Sequence, residues 1–153
     1  MNIEDFKSIV KNIVVQADIL KHQLVNDLAP VNYACIFCQN DEEYLLFVEM
    51  VKQIGKVILD TKAGPVFQIE PLLTIAGDLR ILKIRKPDKD RSERGDADFT
   101  LSNYDEFKKE HINQKRFKLI DKGNFEMIEY KHPNSDVLVY FSNPTLAEVL
   151  KIT

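Results

Sequence analysis

The sequence predicts an α+β fold in which two tandem β-α-β-β-β modules form one curled mixed sheet, preceded by an N-terminal helix and closed by a C-terminal helix. Three observations predict it. Helical and strand periodicities alternate in a fixed order along the chain. A charged, nearly apolar-free stretch interrupts that order, which then begins again. Local echoes recur in sequence: Val57-Ile58-Leu59-Asp60 as Lys118-Leu119-Ile120-Asp121, and Phe67-Gln68-Ile69-Glu70 as Phe125-Glu126-Met127-Ile128-Glu129. With 44% apolar and 29% charged residues, 5 Gly and 6 Pro in 153 residues, the composition suits one globular domain over 1–153 and excludes disorder, collagen and coiled coil.

The first segment places Phe6, Ile9, Val10, Ile13, Val14, Ala17, Leu20, Leu24 and Leu28 at the i, i+3, i+4 spacing of an amphipathic helix over Ile3 to Leu28, one long helix or two joined near Val15-Gln16, stopped by Pro30. Such a continuous apolar face needs a covering surface, either its own sheet or a second subunit in a homodimer. Val31 to Cys38 reads as a strand. Asn40-Asp41-Glu42-Glu43 caps and charges the start of a helix with Leu45, Leu46, Val48, Val51 and Ile54 on its apolar face, ending at Gly55. Strands follow at Val57 to Thr61, Val66 to Leu73 and Leu79 to Lys86, the last two joined by a turn at Ala76-Gly77-Asp78.

The run from Arg85 to Gly95 mixes both signs of charge and reads as a solvated crossover. Beyond it lie a strand at Asp96 to Leu101, a helix capped by Ser102-Asn103 with Tyr104, Phe107 and Ile112 inward, and strands at Phe117 to Asp121, Phe125 to Lys131 and Val137 to Phe141. Asn143-Pro144-Thr145 starts a terminal helix that buries Leu146, Val149 and Leu150. The expected organisation is therefore an N-terminal helical segment over 1–29, a first module over 31–87, a crossover over 88–95, a second module over 96–142 and a terminal helix over 143–153.

A formal net charge of -3 gives no electrostatic reason to expect a nucleic-acid partner or an anionic membrane. No apolar run approaches the roughly 20 residues of a membrane helix, and the acidic start Met1-Asn2-Ile3-Glu4-Asp5 is unlike a signal peptide, so the cytoplasm is expected. Cys35 and Cys38 have the Cys-x-x-Cys spacing, but no second pair of ligands completes a zinc site. Three residues along a strand also turn the two thiols to opposite faces, so core packing is expected for both. His22, His111 and His132 lack a nearby catalytic arrangement and read as surface residues.

Two β-α-β-β-β units in about 120 residues resemble the vicinal oxygen chelate superfamily, which includes glyoxalase I, extradiol dioxygenases and bleomycin-resistance proteins. The stretch His132-Pro133-Asn134-Ser135-Asp136-Val137-Leu138-Val139-Tyr140 resembles a hairpin those proteins often write as Asp-Pro-Asp-Gly-Asn-x-Ile-Glu-Leu. The C-terminal half, with Gly95-Asp96-Ala97-Asp98-Phe99-Thr100-Leu101 and the strand and helix from Val139 to Leu150, is most similar to the YecM-like branch. The resemblance implies a divalent metal held by His or Glu on the first and fourth strands of each module. At those positions stand Tyr33, Lys83 or Arg85, Asp98, and Val139 or Tyr140. Of these only Asp98 suits a hard cation, and Lys83 or Arg85 would repel one, so a degenerate metal site is expected.

Strand parity independently puts Tyr33, Cys35 and Phe37 on one face of the first strand, Ile81, Lys83 and Arg85 on one face of the fourth, and Asp96, Asp98 and Thr100 on one face of the fifth, so polar residues gather on one side. A charge in a segment suited to burial needs a partner, so Asp98 either pairs with Arg85 or Lys83 or faces a ligand. The ion pair is the expectation. Two functions follow. The preferred one is a binding module without a cofactor, holding a small and possibly anionic molecule near Tyr33, Lys83, Arg85, Asp98 and Tyr140. The competing one is an isomerase, lyase or dioxygenase-type enzyme that keeps one divalent metal on Asp98, Glu70 and Glu129 and acts on a substrate with adjacent oxygens.

Overall fold

The computed structural model describes residues 1–152. In chain order the elements are α1 (Ile3–Leu24), β1 (Val31–Phe37), α2 (Asp41–Lys52), β2 (Gly55–Thr61), β3 (Gly64–Thr74), β4 (Gly77–Arg85), β5 (Gly95–Phe99), α3 (Tyr104–His111), β6 (Phe117–Asp121), β7 (Glu126–Tyr130), β8 (Val137–Asn143) and α4 (Leu146–Leu150). The expected sequence of elements holds throughout. Asparagine caps start three of the helices: Asn2, Asn40 and Asn103 accept from the backbone N–H groups of Asp5, Glu43 and Glu106. Thr145 and Glu148 close a reciprocal capping box on α4.

All eight strands form one open mixed sheet in the order β2-β3-β4-β1-β5-β8-β7-β6. Each module repeats the same plan, a parallel pair (β1 with β4, β5 with β8) extended by two antiparallel strands. The modules join where β1 runs antiparallel to β5, matching Ala34 to Ala97 and Cys35 to Asp96. Gly95 is needed at this seam. A Cβ there would drive into the Cys35 carbonyl and press on Ile13 of α1, so a larger residue would push the strands apart.

One face of the sheet carries the large core, in which Phe6, Val10, Ile13, Val14 and Ala17 of α1 pack on Ala34, Ile36, Ala97, Phe99, Val139 and Phe141. The N-terminal helix thus covers the middle of its own sheet, spanning β1, β5 and β8. Phe6 meets Phe47 of α2 edge-on at 5.4 Å, and Phe107 of α3 lies 4.7 Å from Phe141. The other face is concave and holds a smaller cluster of Tyr33, Cys35, Phe37, Val66, Ile81, Met127, Leu138, Tyr140 and Leu146. Cys35 and Cys38 fall in different clusters, on opposite faces as strand parity requires. His111 is not a simple surface residue, because its ring stacks 5.0 Å from Phe117 and 4.3 Å from Phe107.

The first helix ends at Leu24, one turn short of the apolar periodicity. The reason is Lys21, 1% exposed, whose ammonium donates to the Leu28 carbonyl at 2.8 Å and the Ala29 carbonyl at 3.1 Å. The same ammonium lies 2.8 Å from Asp18 and 5.0 Å over the Phe99 ring. These bonds fold the chain back toward β1, so Leu28 is left exposed instead of joining the helix.

Removing one member of a buried, hydrogen-bonded ion pair strands the other, so Lys21→Ala is expected to lower the unfolding free energy by about 3–5 kcal/mol. Urea denaturation followed by far-ultraviolet circular dichroism checks this. Deleting residues 1 to 28 uncovers the apolar middle of the sheet and should give insoluble protein; a soluble, cooperatively folding truncation would show that α1 is dispensable.

Candidate functional site

The concave face encloses a cavity of about 400 Å³. Its floor is set by strand register. One row of inward side chains crosses the seam as Lys83 of β4, Cys35 of β1 and Asp96 of β5. The next row, two residues along, runs Tyr33, Asp98, Tyr140 and Glu129 across β1, β5, β8 and β7. The walls come from equivalent places in the two modules. Leu59, Thr61 and Lys62 of the first are matched by Ile120 and Lys122 of the second, with Leu146 of α4 closing one side.

Charge in this cavity is one-sided. Lys62, Lys83, Arg85, Arg91 and Lys122 line it, against one carboxylate, Asp96. Arg85 is held at the rim by Asp88 at 3.3 Å and lies 5.2 Å over the Phe37 ring. Arg91 stands 3.6 Å from Glu129 and 3.8 Å from Glu93, and Glu129 accepts a 2.6 Å bond from the Tyr140 hydroxyl. Partial burial, and then Lys83, Arg85 and Arg91, push the Lys122 ammonium below its ordinary range. Burial and like charge thus both act against its protonated form, while Asp96 acts for it.

The two aspartates of β5 sit differently. Asp96 lines the cavity with 6% of its surface exposed, and its Oδ1 is buried with no hydrogen-bond partner among the described residues. Burial raises its carboxyl and the neighbouring Lys83 and Arg85 pull it back, leaving it at about 7. Asp98 is 0% exposed, lies beneath the cavity floor and accepts a 2.8 Å bond from the Ser142 hydroxyl, its Oδ2 unpartnered. Burial pushes the Asp98 carboxyl well above the carboxylate range, and it also raises the Tyr33 and Tyr140 hydroxyls, which stay protonated.

Of the residues singled out from sequence, Tyr33, Lys83, Arg85 and Tyr140 line the cavity together. The expected ion pair of Asp98 with Arg85 or Lys83 does not form. The β1–β5 register sets Asp96, not Asp98, in the row of Lys83, while Arg85 is engaged by Asp88. Nor do Asp98, Glu70 and Glu129 gather. Glu70 is exposed on β3, where the pairing with β4 shifts register between Gln68 and Leu72, and Glu129 is taken up by Tyr140 and Arg91. Among the described residues no three His, Cys, Asp or Glu could hold a metal ion.

The crossover is not simply solvated, since it buries Glu93 and delivers Arg91 to the cavity. Sequence reasoning missed Asp96, Arg91, Lys62 and Lys122. Asp96 shares the strand parity of Asp98, and Lys62 and Lys122 each follow one of the duplicated strand echoes, so those signals were present. Arg91 lies in an aperiodic stretch and had none.

No family model and no curated protein matches the chain. Solved structures do. One described as a structural genomics protein, EC4020, aligns with a TM-score of 0.72 over 97% of this chain and 91% of that one, at 11% identity. A glyoxalase/bleomycin resistance protein/dioxygenase superfamily member from Vibrio splendidus 12B01 aligns with a TM-score of 0.50 over 74% of this chain and 97% of that one, at 8% identity. At such identities the likeness shows the fold alone, one shared with that superfamily member. No helix among the described residues is long and apolar enough to cross a membrane.

A carboxyl whose folded pKa lies above its unfolded value binds an extra proton in the native state, so stability falls as pH rises between the two. For Asp96 that window runs from the ordinary aspartate value of 3.8 to about 7. Asp96→Asn should raise the unfolding free energy near pH 8 by on the order of 1–3 kcal/mol, with little effect near pH 4. Parallel denaturant titrations of parent and variant across that range check both the sign and the window.

Proposed function

We propose that this chain is a small-molecule binding module: a vicinal-oxygen-chelate-like cup whose metal site has degenerated and which holds a small anionic molecule among Tyr33, Lys83, Arg85 and Tyr140, above Asp98. One observation carries the reading, the five cationic side chains around a 400 Å³ cavity that contains one carboxylate. In a chain of net charge -3, that concentration of positive charge runs against the average of the molecule. Arg and Lys donors in a recessed site bind carboxylate or phosphate oxygens through charge-assisted hydrogen bonds, which are stronger than neutral ones.

The same side chains do not fit a divalent cation. A metal near the seam would face Lys83 and Arg85, and the carboxylates that could neutralise it are dispersed or bonded elsewhere. The proline-bearing crossover and the β8–α4 closure support placing the chain with the YecM-like branch, and two cysteines, too few for a disulfide framework, suit a reducing compartment such as the cytoplasm.

Thermal unfolding with a panel of oxyanions (inorganic phosphate, phosphate monoesters, mono- and dicarboxylates) tests the proposal. At least one class should raise the midpoint in a concentration-dependent, salt-sensitive way. Arg85→Ala and Arg91→Ala should each weaken that ligand about tenfold or more, each removing charged hydrogen bonds. A panel without effect would sink the binding reading. One equivalent of zinc, iron or manganese in the purified protein, lost to a chelator together with stability, would favour the metal-dependent enzyme.

A further inference from the structure

Resting on the anionic-ligand reading, we propose that the cup is bipolar and selects oxyanions that also carry a hydroxyl group, with the anionic end held by Lys83, Arg85 and Arg91 and the hydroxyl donating to Asp96. A site for a plain oxyanion has no use for a carboxylate. Asp96 stands on the floor of this one, in the same row as Lys83, and repels any anion that enters. It is not spent on a structural ion pair. Lys83 and Arg85 lie close enough to act on it electrostatically, yet no hydrogen bond or salt bridge to its side chain forms among the described residues, and its Oδ1 is buried and unpartnered. A buried acceptor with no donor is costly, and most native proteins satisfy such groups.

The contrast with Asp98 sharpens the assignment. Two residues away on the same strand and face, Asp98 is closed off beneath the floor and has Ser142 as an internal donor. Glu129, the other carboxylate near the cavity, already accepts from Tyr140 and faces Arg91. Asp98 Oδ2 is unpartnered too but sealed beneath the floor, so Asp96 is the unfilled acceptor that lines the cavity, and it sits among cations it cannot neutralise alone. A molecule offering negative oxygens to the cations and an O–H to Asp96 satisfies both excesses at once. One with oxygens alone satisfies the first and worsens the second. A site built to hydrogen-bond a hydroxyl rejects the analogue that lacks it by a large factor, because its own polar group is then left buried and bare.

Matched pairs of probes test this by calorimetric titration at about pH 8, where Asp96 is expected to be mostly ionised: malate against succinate, and glycerol 3-phosphate against propyl phosphate. The parent should bind the hydroxylated member of at least one pair about tenfold or more tightly. In Asp96→Ala the hydroxylated probe should weaken and the plain one tighten, bringing the ratio near unity. Asp96→Asn, which keeps the side-chain volume, guards against a folding defect and should shrink the ratio in the same direction. Equal affinities within both pairs for the parent, or a preference unchanged in both variants, would overturn the bipolar site while leaving the anionic-ligand reading standing. Absence of binding by all four probes would overturn both.

Discussion

The antiparallel contact of β1 with β5 is the constraint on which the rest of the structure depends. It is where two modules of identical topology become one sheet, where α1 lays its apolar face, and where Lys83, Cys35 and Asp96 come into a row. A slip of one residue at this seam would turn every inward side chain of one module outward. Gly95 allows the strands their close approach, and Ile13 of α1 bears directly on that glycine, so the helix and the seam hold each other in place. The cavity exists because the seam curls both modules toward the same side, bringing Leu59 of β2 and Ile120 of β6, near the two free edges of the sheet, to opposite walls.

Stability and chemistry are divided between the two faces. The convex face holds most of the apolar burial, and the charges that meet it are paired: Lys21 with Asp18, and Arg94, over the Phe47 ring, with Glu43. The concave face keeps a thinner apolar cluster and carries ionisable groups whose environments oppose their ordinary state: Asp96 and Asp98 with raised carboxyls, Lys122 with a lowered ammonium. Burial this unfavourable is tolerated only where the remaining structure supplies enough binding energy of its own, and a site that carries it is a candidate for function. Filling the cup with an anion would relieve the cations.

Periodicity and duplication made the fold legible. The order of elements and the equivalence of the modules follow from apolar spacing and repeated strands, with departures of a residue or two at most termini; the apolar face of α1 required a cover but left its own sheet and a second subunit open, and its own sheet supplies it. Parity grouped Tyr33 with Cys35 and Lys83 with Arg85, and the family resemblance, which left Val139 and Tyr140 open, pointed those faces into the cup; Tyr33, Lys83, Arg85 and Tyr140 line the cavity. What parity cannot supply is the stagger between strands. Asp96 and Asp98 are indistinguishable by alternation, and only the β1–β5 register decides which stands in the row of Lys83, across Cys35, and which is sealed beneath the floor. The extent of α1 and the place of Arg91 escaped for a related reason. Lys21 reaches forward to two carbonyls in an aperiodic segment, and Arg91 projects from another, so each is set by tertiary geometry that leaves no pattern in the chain.

Lys21 has one more property that follows from its position. Its ammonium is shielded by Asp18, the Phe99 ring and two backbone carbonyls, whereas lysines such as Lys52 and Lys131 extend into water. An amine-reactive reagent therefore reaches Lys21 only when α1 lifts from the sheet. The rate at which this one side chain is acylated becomes a clock for the opening of the convex core, readable by peptide mass without any label placed in the protein, and its slowing on addition of a ligand would report how tightly events in the cup are tied to the helix on the far side of the sheet.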